Sequence, residues 1–450
     1  MINGHLPVLV RLGRWFALFL GVQLAALGAV YAEEIQDQWS GVERVYAVGD
    51  VHGDYDGYLK VLKDAGVVNR RGNWSAGAAH LVQVGDVPDR GPSTDKIIRH
   101  LMKLEKQALK AGGRVHALIG NHEAMNMLGD LRYVHPGEYK ALRSRNARDL
   151  RNGYYQRVVA YLQAREDAPE IDDGFRDQWM QAHPLGFVEH RQLWSANGEF
   201  GAWVLEHTVV IRINDTLFLH GGLGPSYAET SLREINERAR SELANPAAYE
   251  DKLVEDDDGP LWHRGLSDPR GEEPAYLAPL LERHGVRRIV VGHTPGFGTV
   301  VPRLDAQVLV IDSGISAHYG GYQASLLIEG EDLYTLQGEE RIPLPRTEEE
   351  SLGYLRTMAE RRTNSDNLRA LIDFRERQLS ALEEPVAAGA DEAGEQAGER
   401  GDGLGDGLGD GPGDGLSESP EGSGSTEQDG GRQSAVDHRR QQLSGSAEGP

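Results

Sequence analysis

The sequence predicts an α/β domain in which helices connect the strands of a buried sheet. From Arg44 to about Leu336, short apolar runs alternate with helical stretches, and Gly or a polar residue follows each run at once. Runs of this length and composition are typical of buried strands. Because the loops at the carboxyl ends of such strands converge on one crevice, we expect the functional residues to lie there.

Composition narrows the functions that such a domain can have. Hydrophobic residues make up 39% of the chain, which is ample for a large core. Asp and Glu number 70 against 47 for Lys and Arg, a net charge of -23 that argues against binding to nucleic acid or to an anionic membrane surface. Cysteine is absent, which excludes disulfides, thiolate zinc sites and Cys nucleophiles. Any metal ion must therefore be held by Asp, Asn, Glu and His.

Residues 1–32 have the pattern of an export signal. Arg11 and Arg14 precede an almost wholly apolar stretch, Trp15 to Val30, and small residues occupy the expected cleavage positions before and at Ala32. The alternative is an uncleaved membrane anchor, but the apolar run is shorter than the roughly 20 residues that a spanning helix needs. We therefore expect cleavage, no stable membrane insertion afterwards, and a periplasmic location if the source is a bacterium with two membranes.

The α/β domain is predicted to occupy residues 43–340. A segment at about 129–198, rich in Arg, Gln, Tyr and Asp, has helical spacing and interrupts the strand pattern. We interpret it as a helical insertion that either shapes substrate access or serves as structural cover.

The end of the chain is predicted to contain a helical extension at 347–384 and a tail at 385–450. In the extension, one apolar stripe is expected to pack on the domain: Leu368, Leu371, Ile372, Leu379 and Leu382. The tail is rich in Gly, Asp and Ser, and has 14 acidic residues against four arginines. Such a segment buries too little apolar area to offset its ordering entropy, so disorder is predicted. A calcium-binding repeat is the alternative, although the period differs from the known one.

Five predicted strands end in the same way, with Asp, Asn or His beside Gly. The five segments are Gly49-Asp50-Val51-His52-Gly53, Gly85-Asp86-Val87-Pro88-Asp89-Arg90-Gly91, Gly120-Asn121-His122-Glu123, His220-Gly221-Gly222 and Gly292-His293. Such a repetition is hard to explain by packing alone. A pair of metal ions needs hard ligands of these types, one of them a carboxylate that bridges both ions.

The inferred metal centre binds two divalent cations. The ligands are Asp50, His52 and Asp86 for the first ion, and Asp86, Asn121, His220 and His293 for the second. Asp86 is then the bridge. A water shared by two such cations loses its proton near neutral pH and becomes the nucleophile, so no Ser or Cys is needed.

Three further residues complete the predicted chemistry. Arg90 offers a guanidinium that binds phosphate oxygens and stabilises charge in the transition state. His122 follows a ligand directly and is a candidate for protonating the leaving oxygen, with Asp89 orienting its imidazole. The alternative role for His122 is support of the loop.

These segments resemble the signature of the phosphoprotein phosphatases, a family of calcineurin-like metallophosphoesterases. Its blocks Gly-Asp-x-His-Gly, Gly-Asp-x-x-Asp-Arg-Gly, Gly-Asn-His-Glu, His-Gly-Gly and Gly-His occur in order from Gly49 to His293. The segments 125–134 and 259–265 are similar to those of bacterial Shewanella-like protein phosphatases. The resemblance implies an αββα sandwich, and it covers about residues 43–336.

The resemblance adds two residues that spacing alone does not identify. It implies that Arg264 is a second phosphate-binding arginine and that Tyr319 contacts substrate, although a structural role for Tyr319 is an equal alternative. Gly224 stands where the family commonly has Ser, and Asp54 where eukaryotic members commonly have Gln. Neither position is a predicted ligand.

The resulting hypothesis is a dimetal phosphomonoesterase that hydrolyses phosphate esters by in-line attack of a metal-bridging hydroxide. Its expected substrates are phosphoproteins or phosphopeptides, phosphorylated on tyrosine or on serine and threonine. Manganese is the expected metal, with iron or zinc as alternatives, because this ligand set suits all three. The alternatives are a dinucleoside polyphosphate hydrolase and a non-catalytic binding protein with the same fold.

Overall fold

The computed structural model of the protein describes residues 36–268, 271, 274–361 and 365–383. These residues form two six-stranded sheets and twelve α-helices, which confirms the predicted α/β class. The predicted export signal and the predicted acidic tail lie outside the described residues. No helix in the described ranges is long and apolar enough to cross a membrane.

The twelve strands are short, and five of them are buried along their whole length. In chain order they are β1 (Gln38–Trp39), β2 (Arg44–Val48), β3 (His80–Gln83), β4 (Arg114–Ala117), β5 (Val210–Ile213), β6 (Thr216–Leu219), β7 (Arg288–Val291), β8 (Val301–Arg303), β9 (Val308–Val310), β10 (Ala324–Glu329), β11 (Asp332–Gln337) and β12 (Glu340–Pro343). Strands β3, β6, β7 and β9 have no exposed residue, so both faces of each sheet are covered there.

The first sheet has the strand order β12-β11-β10-β2-β3-β4. Strands β2, β3 and β4 run parallel, with Val45 opposite His80 and His80 opposite Arg114. Strands β10, β11 and β12 join them by antiparallel pairing. The parallel strands carry the first three predicted site segments at their carboxyl ends, so all three segments emerge at one edge.

The second sheet has the order β1-β5-β6-β7-β9-β8. Strands β6, β7 and β9 are parallel, with Leu217 opposite Ile289 and Ile289 opposite Val308. The remaining two predicted site segments follow β6 and β7. The site is therefore supplied by the carboxyl ends of parallel strands from both sheets.

The helices connect these strands, and in the middle of the sequence several helices follow one another without a strand between them. In order they are α1 (Tyr55–Asp64), α2 (Thr94–Lys110), α3 (Asn121–Leu128), α4 (Pro136–Leu142), α5 (Ala147–Gln163), α6 (Asp173–Ala182), α7 (Phe187–Leu193), α8 (Glu199–Leu205), α9 (Leu232–Ala244), α10 (Leu277–His284), α11 (Glu348–Arg361) and α12 (Asp366–Glu383). Helices α4 to α7 occupy the segment that the sequence predicts as a helical insertion.

The chain divides into two compact units by its internal contacts. The first comprises the described parts of Met1–Arg151 and Gln181–Arg377, and it contains every predicted site residue. The second unit includes Asn152–Met180. Within it, the ring centroids of Trp179 and Tyr155 are 5.0 Å apart.

Helices α11 and α12 occupy the segment of the predicted extension. In α12, Leu368 and Leu371 are fully buried and Ile372 is nearly so. The predicted stripe is wrong at Leu379, whose side chain is 44% exposed. Helical periodicity identified the buried face, but it could not indicate that the side chain of Leu379 lies outside it. The side chain of Leu382 lies outside the described part of the chain.

Replacing Leu355 in α11 tests whether this helix belongs to the folded core. Leu355 is fully buried, and deleting a buried leucine side chain costs about 2–5 kcal/mol of unfolding free energy. We expect Leu355→Ala to lower the free energy of unfolding in urea by that amount. The matched control is Glu360→Ala on the exposed face of the same helix, and equal effects of the two changes would contradict the packing.

Candidate metal centre

The six predicted metal ligands lie together and are buried. Their exposed fractions are 4% or less: Asp50 2%, His52 3%, Asp86 2%, Asn121 3%, His220 0% and His293 4%. Three come from loops after β2 and β3, one is the first residue of helix α3 after β4, and two come from the loops after β6 and β7. Residues far apart in sequence thus form one polar cluster inside the protein.

The carboxylate of Asp86 lies at the centre of this cluster. Its Oδ2 is 3.3 Å from His220 Nε2 and 3.7 Å from His52 Nε2. Two groups of three side chains could each hold a metal ion, His52-Asp86-His122 and Asp86-His220-His293, and both contain Asp86. The first group includes His122 in place of the predicted ligand Asp50. The shared position is the one that a bridging carboxylate requires.

The backbone of Asp86 also connects the site loops. Its carbonyl oxygen accepts hydrogen bonds from the backbone N–H groups of Val51 and His52, at 3.1 and 3.0 Å. Its Oδ1 accepts the backbone N–H of His122 at 2.9 Å. One residue therefore fixes the loops that follow three neighbouring parallel strands.

The second group of ligands crowds nitrogen and oxygen atoms around one point. His220 Nε2 lies 2.8 Å from Asn121 Oδ1 and 3.0 Å from His293 Nδ1. The nitrogen of His293 that meets the other ligands is therefore Nδ1. Imidazole nitrogens and an amide oxygen that converge in this way are donor atoms suited to a divalent cation.

Charges at the site favour ligation of cations. Burial alone would raise the pKa of Asp86, but the charges of His220 and His122 outweigh it and hold that pKa well below its usual range. Burial lowers the pKa of His52 to about 3, and burial holds that of His293 well below its usual value. An ionised carboxylate and neutral imidazoles are the forms that bind divalent metals. The residues present fit a metal centre.

Asp312 is a site residue that the sequence interpretation missed. It follows β9 and is 1% exposed. Burial, with the neighbouring charge of Asp312, raises the pKa of Asp50 well above its usual value. A second carboxylate beside a predicted ligand adds negative charge that cations would neutralise. The signal was present in the sequence, because Asp312 follows an apolar run and precedes Ser-Gly.

The site loops hold several residues in a conformation that non-glycine residues rarely adopt. Positive φ angles occur at His52 (42°), Asp86 (57°), Asp89 (72°), Arg90 (62°) and His293 (64°). Each such residue costs on the order of 1–3 kcal/mol, which the surrounding structure must offset. All five were predicted site residues, so the strain is concentrated where the side chains must be aimed.

Two glycines allow the loops to approach the carboxylates closely. A Cβ atom at Gly120 would clash with the carboxylate of Asp86, and one at Gly292 would clash with that of Asp50. Only glycine fits at these two positions, because any side chain would collide with the carboxylate.

Glu123 holds the loops that carry the bridging ligand. Its carboxylate is buried and accepts three backbone N–H groups, from Asp86 at 3.0 Å, Val87 at 2.8 Å and Gly120 at 2.8 Å. Burial raises the pKa of Glu123 to about 7, with a further contribution from the charge of Asp86. Glu123 lies behind the ligands and fixes the two loops relative to each other.

His122 has a different environment from that of the other site histidines. Its Nδ1 lies 2.6 Å from Asp89 Oδ2, and its Nε2 lies 3.8 Å from Asp86 Oδ2. Burial alone would lower the pKa of His122, but the charge of Asp86 and the hydrogen bond to Asp89 raise it. The other oxygen of Asp89 accepts from Asn126 Nδ2 at 3.0 Å. The position of His122 Nε2 allows ligation, yet its raised pKa favours the predicted acid.

The two arginines have different neighbours near the ligand cluster. The Arg90 guanidinium lies over the ring of Tyr133, 3.9 Å from its centroid, and its Nε is buried with no partner among the described residues. Arg264 is exposed and donates from Nη1 to the backbone oxygen of His293 at 2.5 Å. Both predicted phosphate-binding residues therefore border the metal centre.

Aromatic rings line the same region. Tyr319 has its ring centroid 5.2 Å from that of His52, and burial raises its pKa to about 12. Tyr133, which the sequence interpretation did not single out, lies between Arg90 and His122, with its centroid 5.2 Å from the imidazole. The structure thus brings all of the predicted site residues to one place and adds Asp312, Glu123 and Tyr133.

This fold and site define a class of protein, the metallophosphoesterases. Residues 43–297 match the calcineurin-like phosphoesterase family, and the chain belongs to that family. The predicted family, the sandwich fold and the prediction of a metal-dependent phosphoric monoester hydrolase are confirmed. Family membership implies divalent metals, for which the His and Asp groups described above are the candidates.

Named relatives point to one branch of the family. The chain is 38% identical over 300 residues to an uncharacterised protein of Schizosaccharomyces pombe, covering 64% of this chain and 78% of that protein. It is 28% identical over 304 residues to Shewanella-like protein phosphatase 2 of Arabidopsis thaliana, covering 63% of this chain and 74% of the relative. The crystal structure of a cold-active protein-tyrosine phosphatase from a psychrophilic Shewanella species is similar, with a TM-score of 0.53, 29% identity, and coverage of 69% and 84% respectively.

Replacing Glu123 tests its role in holding the loops. Glu123→Ala leaves three buried N–H groups without their acceptor, and each unsatisfied group costs about 1–3 kcal/mol. We expect a lower free energy of unfolding and weaker manganese binding by calorimetric titration.

The matched control is Glu242→Ala. Glu242 is equally buried and accepts the backbone N–H groups of Leu253 and Val254, at 3.0 and 3.1 Å, away from the ligands. It should lower stability and leave manganese affinity unchanged. A comparable loss of affinity in both variants would contradict a specific role for Glu123.

Proposed function

We propose that this protein is a dimetal phosphatase acting on phosphorylated protein side chains. The observation that carries the proposal is the pair of ligand groups that share the buried carboxylate of Asp86. A phosphomonoesterase that uses two cations needs a shared carboxylate, open ligand positions and a nearby proton donor. The names of the relatives, which are protein phosphatases, support the choice of substrate.

The proposed ligands of the first ion are Asp50, His52 and Asp86. Those of the second are Asp86, Asn121, His220 and His293. Divalent cations held there would supply Lewis-acid activation of water and neutralise charge on the phosphoryl group. We propose manganese as the metal, with iron and zinc as the alternatives that the same donor atoms accept.

The arginines bind the phosphoryl oxygens in this proposal. Arg90 is held by its ring contact with Tyr133 and keeps one nitrogen free of partners among the described residues. Arg264 is held by the carbonyl of His293, so it borders the second group of ligands. Guanidinium groups bind phosphate through paired hydrogen bonds and stabilise the charge of the transition state.

His122 donates a proton to the leaving oxygen of the ester. Asp89 accepts from Nδ1, so the opposite nitrogen, Nε2, is the one that faces the ligand cluster. The negative charge of Asp89 stabilises the protonated imidazole, which is the form that an acid needs at the start of the reaction.

We propose phosphotyrosine as the first substrate to test. The rings of Tyr133 and Tyr319 lie beside the site, where they would contact the flat side chain of the substrate. The Shewanella structure is described as that of a protein-tyrosine phosphatase, which supports the same choice. Export to the periplasm remains a prediction from residues 1–32.

Removal of metal and replacement of Asp50 test the dimetal proposal. The full chain with added manganese should hydrolyse phenyl phosphate and phosphopeptides, and a chelator should abolish the reaction until manganese is restored. We expect Asp50→Asn to lower kcat at least about 100-fold, because the negative charge of this ligand is lost. Calorimetry should give two bound manganese ions per wild-type chain and weaker binding in the variant.

The substrate panel should include phosphotyrosine, phosphoserine and phosphothreonine peptides and a dinucleoside tetraphosphate. The dinucleotide is included because a bis(5'-nucleosyl)-tetraphosphatase of Delftia acidovorans is 33% identical to this chain over 199 residues. Faster hydrolysis of the dinucleotide than of the phosphopeptides would favour a dinucleoside polyphosphate hydrolase. Equal rates for wild type and Asp50→Asn would end the dimetal proposal.

The pH dependence of kcat tests the role of His122. The active form of the acid is protonated, so activity is lost as pH rises through the pKa of His122. Asp89 raises that pKa, and Asp89→Asn should therefore move the alkaline limb to lower pH and reduce kcat by about 100-fold or more. His122→Asn should remove the limb. An unchanged alkaline limb in both variants would show that another group supplies the proton.

A further inference from the structure

The proton donor is held from behind by a residue of the helical insertion. Glu138 lies in α4 and is 2% exposed. Its Oε1 accepts the backbone N–H of Asp89 at 3.0 Å. Asp89 in turn holds His122 Nδ1 at 2.6 Å. A chain of contacts therefore runs from the insertion to the imidazole.

The backbone at Asp89 needs such support. Asp89 and Arg90 have φ angles of 72° and 62°, so two successive non-glycine residues are left-handed. Both of their N–H groups are held by one segment, the first by Glu138 and the second by the carbonyl oxygen of Tyr133 at 3.1 Å. Strained backbone persists only where the surroundings fix it. Without the Glu138 acceptor, the turn is free to relax, and the Asp89 carboxylate moves with it.

Glu138 lies beside a second buried polar residue. His190 of α7 is fully buried, and its Nε2 lies 4.0 Å from Glu138 Oε2. Neither ring nitrogen of His190 has a hydrogen-bond partner among the described residues. Burial raises the pKa of Glu138 well above its usual value, with the charge of Asp89 adding to it, and burial lowers the pKa of His190 to about 3. At 4.0 Å the two groups are too far apart for a direct hydrogen bond, so the hydrogen bond from the Asp89 N–H group is the contact through which Glu138 reaches the acid.

We propose that Glu138 is a positioning residue for proton transfer, acting on the leaving group through Asp89 and His122. This rests on the proposed function. Glu138 contacts neither the ligands nor the arginines in any hydrogen bond described above, so its effect should be confined to the step in which the leaving oxygen is protonated.

Leaving-group dependence distinguishes positioning from general support of the fold. Phenolate is a poor leaving group and needs a proton, whereas dinitrophenolate leaves readily without one. Glu138→Leu should lower kcat for phenyl phosphate about 10- to 100-fold and for dinitrophenyl phosphate less than about threefold. Glu138→Gln keeps an oxygen acceptor for the Asp89 N–H group and should restore both rates to within about threefold of wild type.

The matched control is Glu189→Leu. Glu189 is also a buried glutamate of the insertion, but it accepts from Ser144, with its Oε1 3.0 Å from the backbone nitrogen. Glu189→Leu should change kcat for phenyl phosphate and kcat for dinitrophenyl phosphate by the same factor. Manganese titration of all the variants by calorimetry should give the wild-type stoichiometry, because none of these residues is a ligand.

The outcomes separate this inference from the function on which it rests. A wild-type protein that hydrolyses neither aryl phosphate would refute the proposed function. An active wild type in which Glu138→Leu slows both substrates equally, slows neither, or loses manganese would overturn the positioning role. A selective loss on phenyl phosphate, with rescue by Glu138→Gln, supports it.

Discussion

Every polar atom of Asp86 contacts another part of the site, and the positions of the surrounding loops depend on these contacts. Its carbonyl oxygen fixes the loop of His52, its N–H and one carboxylate oxygen fix the loop of His122, and its other oxygen lies between two groups of ligands. Movement of this one residue would therefore disturb both ligand groups at once. The left-handed backbone at Asp86, with a φ of 57°, is what allows the main chain and side chain to point in these directions together.

The electrostatics of the site resolve an apparent conflict between an acidic protein and an anionic substrate. The chain carries a net charge of -23, which repels phosphate at long range. At the centre, however, the carboxyl groups of Asp50, Asp86 and Asp312 are all buried, and the charges of Asp86 and Asp312 help to raise the pKa of Asp50. Uncompensated charges are costly in a buried site, so this arrangement favours cations strongly. With cations held there and Arg90 and Arg264 at the margin, the local field becomes attractive to phosphate although the protein as a whole is acidic.

Much of this centre could be predicted from sequence because each ligand follows a strand and lies beside Gly. That signal depends on local backbone chemistry, which a linear pattern records. Asp312 carries the same signal and could have been found by it. Tyr133, Glu138 and the burial limit at Leu379 depend instead on which segments meet in space, and no spacing along the chain encodes those meetings. The positive φ angles of the site likewise occur at non-glycine residues, whose residue type does not predict a left-handed backbone.

The insertion illustrates why a pattern of helices does not reveal its purpose. Helical spacing between about residues 129 and 198 suggested either a role in substrate access or plain cover. In the structure, the segment that precedes and forms α4 reaches the reactive region, with the carbonyl of Tyr133 on the N–H of Arg90 and Glu138 on that of Asp89. The proposed metal ligands follow strands of the two sheets, whereas the backbone N–H groups of Asp89 and Arg90 are held by the insertion. If the proposed roles hold, changes in the insertion would alter proton transfer and phosphate binding while the metal centre stays intact.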